Sequence, residues 1–106
     1  YPTIANSINQ SISDHGIQSY NILTKQVKGK GLECHHLIEK RFADIIGQNP
    51  SEMKCIAISP ELHIQFTNAW QHAIPHGTLP SQEQVFNTAK MIYGDFPNIL
   101  KALNLQ

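Results

Sequence analysis

No apolar run in this 106-residue chain approaches the ~20 residues needed to cross a bilayer, and no basic segment followed by an apolar stretch marks a secretory leader. A membrane span is therefore excluded and a soluble domain expected. Cysteine is scarce: Cys34 and Cys55 are too few and too far apart for a CxxC zinc site or a disulfide framework. Both read as core thiols, and a disulfide stays open if their strands pair. Charge of one sign is also lacking, since eight basic residues balance eight acidic ones. That balance removes the overall isoelectric point as an argument for a polyanionic partner. The chain opens on Tyr1-Pro2 with no initiating methionine, and is expected to be a piece excised from a longer polypeptide.

What is present suits one domain. Apolar residues make up 41 % of the chain, and a chain of this length buries about 65 % of the surface its unfolded form exposes. Charge is unevenly placed despite its balance. Between Lys25 and Lys54 lie Lys25, Lys28, Lys30, Lys40, Arg41 and Lys54 against Glu33, Glu39, Asp44 and Glu52, so positive charge gathers around the pair His35-His36. An exposed, solvated surface would look the same on charge alone.

Isoleucines at 4, 8 and 12 in the polar stretch 1–16 predict a short amphipathic lead-in helix. Lys28-Gly-Lys-Gly31 breaks the chain, and Leu32–His35 reads as a short strand that delivers the histidines. Leu37, Ile38, Phe42, Ile45 and Ile46 recur at helical spacing before Gly47, predicting a helix over Leu37–Ile46. Asn49-Pro50-Ser51 makes a turn, and the β-branched stretch Cys55–Ile58 reads as a second strand. Ser59-Pro60-Glu61 is a helix start: Ser caps, Pro loses nothing at the first position, and Glu suits the positive helix end. That helix should reach about Ala73, before Pro75 and Gly77. Ser81 to Gln84 resembles a capping box opening a helix to about Tyr93, and Pro97–Leu105 predicts a last short one. The class is α+β, in three stretches: a helical lead-in over 1–27, a strand–strand–helix core over 28–73, and C-terminal helices over 80–106.

Two adjacent imidazoles at a strand end can divide one reaction, because one can hold a divalent metal while its neighbour takes a proton. His63, in the first turn of the Pro60 helix, is the residue best placed to join them. At 100° per residue Thr67 lies about 40° and Trp70 about 20° from His63, whereas Asn68 lies about 140° away and His72 opposite. Trp70 and Phe66 belong with the core stripe. His15, His72 and His76 have no comparable partners and read as structural or exposed. Glu33 alternates onto the face of His35, where it can support a histidine from behind. Lys40 and Arg41, one turn past His36, are placed to contact phosphate, Arg41 bidentately.

Glu33-Cys-His-His-Leu-Ile-Glu39 followed by Ile58-Ser-Pro-Glu-Leu-His-Ile-Gln-Phe-Thr-Asn-Ala-Trp70 resembles the HNH, or His-Me finger, endonuclease superfamily. Gly31 to Phe42 together with Phe66 to Trp70 further resembles C-terminal nuclease domains of bacterial polymorphic secreted toxins. The resemblance covers about residues 28 to 105. It implies a small two-stranded ββα-metal finger surrounded by α-helices, with one divalent metal ion, Mg or Zn, held by His35 and His63. His36 would be the general base. Where colicin-type members place a further ligand histidine this chain has Thr67, so Thr67 through water, or Asn68 in a distorted helix, would be the third ligand. The Asn that gives the family its middle letter falls near Lys54, which cannot accept a hydrogen bond. Orientation of His36 must then come from a backbone carbonyl or another side chain, and Lys54 is free to meet phosphate.

The expected activity is metal-dependent hydrolysis of phosphodiester bonds, with DNA favoured over RNA. The resemblance further implies a toxin secreted from the producing bacterium as part of a larger protein, acting in the target-cell cytoplasm and neutralised by a cognate immunity protein. Two other classes remain open. Cys34, His35, Cys55 and His63 could close a zinc site in a non-catalytic binding module, and His36 with a second histidine could cleave RNA by metal-free acid–base chemistry.

Overall fold

The computed structural model describes residues 4–105. Its elements run α1 (Ile4–His15), β1 (Gln18–Ser19), α2 (Tyr20–Gln26), β2 (Glu33–His36), α3 (Ala43–Ile46), β3 (Lys54–Ile58), α4 (Pro60–Ala73), α5 (Gln82–Ile92) and α6 (Pro97–Ala102), with 3-10 turns at Lys40–Phe42 and Pro50–Glu52. The α+β class is as expected. No helix among the described residues is long and apolar enough to cross a membrane.

The strand–strand–helix core sits where the sequence places it, but the sheet has a third strand. Its order is β1-β3-β2, both pairs antiparallel, with Gln18 opposite Cys55 and Ser19 opposite Lys54. Two residues are too few to carry an alternating pattern, so the expectation of two strands missed β1. In the other ladder Glu33 faces Ile58, Cys34 faces Ala57, His35 faces Ile56 and His36 faces Cys55. Cross-strand partners point to the same side of a sheet and neighbours along a strand to opposite sides. His35 and Glu33 therefore share the face of Ile56 and Ile58, while Cys34 and His36 share the face of Cys55 and Ala57.

Each face has its own cover. Leu23 of α2 and its C-cap Val27 pack on Cys55 and Ala57, and the larger core joins Ile56 and Ile58 to Ile8, Phe42, Phe66, Trp70, Val85, Tyr93 and Ile99. Ile8 of α1 is fully buried and Ile12 packs beside it, as the isoleucine spacing predicts. The first residues of the lead-in, 1–3, and Gln106 lie outside the described residues.

Caps account for the helix starts. Ser59 Oγ accepts from Leu62 N with Pro60 at the first position, and Ser81 with Gln84 forms the reciprocal capping box. The expected Leu37–Ile46 helix is shortened to Ala43–Ile46 behind a 3-10 turn. Leu37 N donates to the Lys54 carbonyl at 3.1 Å, which carries the ladder one residue past His36, and the chain bends at Leu37 and Ile38 before the 3-10 turn opens at Lys40. Gly47, with φ of 70°, then ends α3 in the left-handed conformation that glycine adopts without steric cost. The last helix also stops early: Asn104 turns to φ 58° and Leu105 N bonds back to the Leu100 carbonyl at 2.8 Å.

Candidate active site

β2 is an edge strand, and a cavity of about 570 Å³ opens along it, between α2 on one face of the sheet and α4 on the other. His35, His36 and His63 all line it, so the three histidines singled out by spacing meet in one place although His35 and His36 face opposite sides of the sheet. Thr67, one turn after His63, lines it too, as do Lys40 and Arg41.

Each histidine is held by one ring nitrogen. His35 is 2 % exposed, and its Nε2 lies 2.8 Å from the Tyr93 hydroxyl. Its ring stacks on Phe66 at 4.9 Å between centroids and meets His63 edge-on at 5.3 Å. Desolvation, helped by the nearby His63 and His36, lowers its pKa to about 3, so the ring is neutral at neutral pH. His36 Nε2 lies 3.0 Å from the Pro50 carbonyl, which can only accept, so Nε2 carries the proton and Nδ1 the lone pair. Tyr20 of α2 stacks on this ring at 4.7 Å. Burial lowers the His36 pKa, with smaller contributions from Lys40 and His63, while the Pro50 bond opposes the shift. His63 Nδ1 lies 2.7 Å from Glu33 Oε1, leaving Nε2 unpaired.

The Pro50 carbonyl is a backbone acceptor for His36, one of the two kinds of partner expected for that ring. Glu33 reaches a histidine as expected, but it reaches His63 across the fold rather than its neighbour on the strand. The donor set fits a metal in a sparse form. Two imidazoles lie 5.3 Å apart, and His63 has a carboxylate on its far nitrogen, the arrangement that fixes and strengthens a ligating histidine. Among the described residues no group of three His, Cys, Asp or Glu is placed to hold a metal ion.

Several expectations are corrected. Asn68 is exposed and off the cavity, because α4 runs unbroken from Pro60 to Ala73 and the distortion that would bring Asn68 round is absent. Lys54 borders a different depression, with Ile38, Met53 and Phe86, because it alternates with Cys55 onto the sheet face opposite His36. Arg41 lines the cavity, but its Nε donates to Glu39 at 2.7 Å and its Nη2 to the Ile74 carbonyl at 2.5 Å, with the guanidinium 4.2 Å over Phe42. Its Nε–Nη2 edge is taken up within the protein, and Nη1 has no partner among the described residues. Lys40 is exposed and in no ion pair among the described residues.

The two cysteines are free and stand diagonal rather than opposite in the ladder. Cys55 is buried, which pushes its thiol up to about 12, but Cys34 is half-buried and lines the cavity rather than lying in the core. Because both point to the sheet face opposite His35, the four-ligand zinc set of Cys34, Cys55, His35 and His63 does not assemble.

Sequence reasoning missed Tyr20, the Pro50 carbonyl, His76 on the cavity rim and above all Tyr93. His76 follows Pro75, beyond the helix whose periodicity could have placed it. Tyr93 lies 58 residues from His35 and carries no local signal. No family model, curated protein or solved structure matches this chain.

Proposed function

We propose that this protein is an endonuclease-type phosphodiester hydrolase that uses a divalent metal, with His36 as its general base. One observation carries the reading: three histidines line one cavity, and each is anchored through one nitrogen with the other left without a protein partner.

His36 is neutral, oriented by the Pro50 carbonyl, and has its lone pair on Nδ1. It takes a proton from water as the water oxygen bonds to phosphorus. The P–O bond to the leaving group then breaks, and that oxygen takes a proton from solvent. His35 and His63 would hold the metal, whose chemistry when bound is to polarise the phosphate and stabilise the leaving oxygen. Imidazole donors favour a zinc-class ion over magnesium. Lys40 supplies the free positive charge at the cavity for a phosphate. Glu33 keeps the His63 ring in place. DNA is the favoured substrate, and delivery as the toxic domain of a larger secreted protein, held in check by an immunity protein, rests on the resemblance of the His-His and Pro60-helix segments.

The test is to incubate the chain and His36→Ala with plasmid DNA and total RNA, each with magnesium, zinc or excess chelator. Metal-dependent DNA cleavage that His36→Ala loses, while zinc binding persists, is the expected result. Intact DNA and RNA under every condition would remove the nuclease reading. A second reading has its own support in the pairing of His63 with Glu33, because a carboxylate-backed histidine beside His36 can serve as the acid to its base. RNA cleavage that survives chelator would select it.

A further inference from the structure

Tyr93 is the fully buried centre of a hydrogen-bond hub that joins three elements. Its hydroxyl meets His35 Nε2 at 2.8 Å, Trp70 Nε1 at 3.4 Å and the Leu37 carbonyl. The partners have fixed roles. A carbonyl can only accept and an indole N–H can only donate, so the single phenolic proton goes to Leu37 and Trp70 donates to the phenol oxygen. His35 can then bond to that oxygen only by donating. Its proton must sit on Nε2 and its lone pair on Nδ1.

Nδ1 is also the ring atom that meets the cavity. His35 lines the cavity, its one hydrogen bond leaves through Nε2, and no buried side-chain nitrogen or oxygen among the described residues lacks a partner. We infer that Tyr93 is a positioning residue that locks His35 in the Nε2–H tautomer and so presents the Nδ1 lone pair to the cavity as a ligand. This rests on the metal-dependent reading for its use, but not for its geometry. It gives the C-cap of α5, a helix with no group of its own at the cavity, a part in the site. Removing the hydroxyl would leave a buried N–H without an acceptor, and the ring would escape that cost by moving its proton to Nδ1, where the cavity's water can accept it. The lone pair would then point into the core, where no ion can reach it.

Nitrogen-15 long-range correlation spectra of the metal-free chain read the tautomer directly, and calorimetric zinc titration reads its consequence. The expected result is His35 protonated on Nε2 and bare on Nδ1. In Tyr93→Phe the Nδ1–H form should rise and zinc affinity should fall about 10-fold to 100-fold, the usual cost of losing a ligand's outer partner. His63→Ala should lower zinc affinity without altering the His35 tautomer, which a general loss of structure would not reproduce. An Nδ1–H ring in the unaltered chain would overturn the assignment even if Tyr93→Phe failed to fold. Unchanged zinc affinity in a folded Tyr93→Phe would overturn it as well. An Nε2–H ring in a chain that binds no zinc would instead count against the metal reading and leave the Tyr93 assignment standing.

Discussion

His35 is the residue whose environment differs most from what its type suggests. An imidazole on an edge strand is ordinarily solvated, yet this one lies under Phe66 and against Tyr93, and burial keeps it neutral. Its pKa is lower folded than unfolded, so below the unfolded value the unfolded chain binds a proton that the folded one does not. Stability from this group is complete above about pH 6.5 and is lost as pH falls towards about 3. His35 alone should give a limiting slope of about 1.4 kcal/mol per pH unit in that window. Urea midpoints between pH 7 and 4 would show it, and a His35→Gln variant with the same acid slope would remove His35 as its source. Arg41 is the converse case, a residue that sequence position marks for substrate and that packing uses as a brace. Arg41→Ala should cost about 2 kcal/mol, the scale of charge-assisted bonds to Glu39 and Ile74, in chemical denaturation. Unchanged stability would return the side chain to phosphate binding.

Among the elements, α4 is the best determined locally, and it matters because its first turn carries His63. Ser59, Pro60 and Glu61 act within four residues of one another, so no distant contact is needed to start the helix. Ser59→Ala should cost about 1 kcal/mol through the lost cap. Zinc affinity should fall with it if fraying of that turn releases His63 from Glu33, and an unchanged melting temperature would show the cap to be idle. The segment after His36 followed a different rule. Its apolar spacing is helical, and Leu37 and Ile38 are indeed buried, but Leu37 N bonds to the Lys54 carbonyl and the chain bends at both residues instead of entering a helix. Periodicity records which side chains go inside, and a hydrogen bond to a neighbouring strand decides the backbone that takes them there.

For the molecule as a whole, zero formal charge and a single unpaired lysine at the cavity make a small electrostatic footprint. Nucleic-acid affinity of an inactive His36→Ala chain should therefore change little with salt, with a log–log slope near −1 for about one neutralised phosphate. A slope several times steeper would reveal an extended cationic surface. The assembly also shows why the histidines meet. They arrive on two faces of one sheet and are gathered at its open edge, with α2 bringing Tyr20 to one and the C-cap of α5 bringing Tyr93 to another.

The amino-acid order by itself determined the α+β class, the caps of α4 and α5, the stop at Gly47, much of the core and the singling out of His35, His36 and His63. These depend on contacts within a few residues or on simple periodicity, and such signals are written locally. Only the tertiary structure decided that Pro50 orients His36, that Glu33 supports His63, that Lys54 and Asn68 stand away from the cavity, and that Tyr93 holds His35. Each of those depends on which face of the sheet a side chain takes and on partners up to 58 residues distant, and the chain acquires both only when its strands pair and its helices close over them.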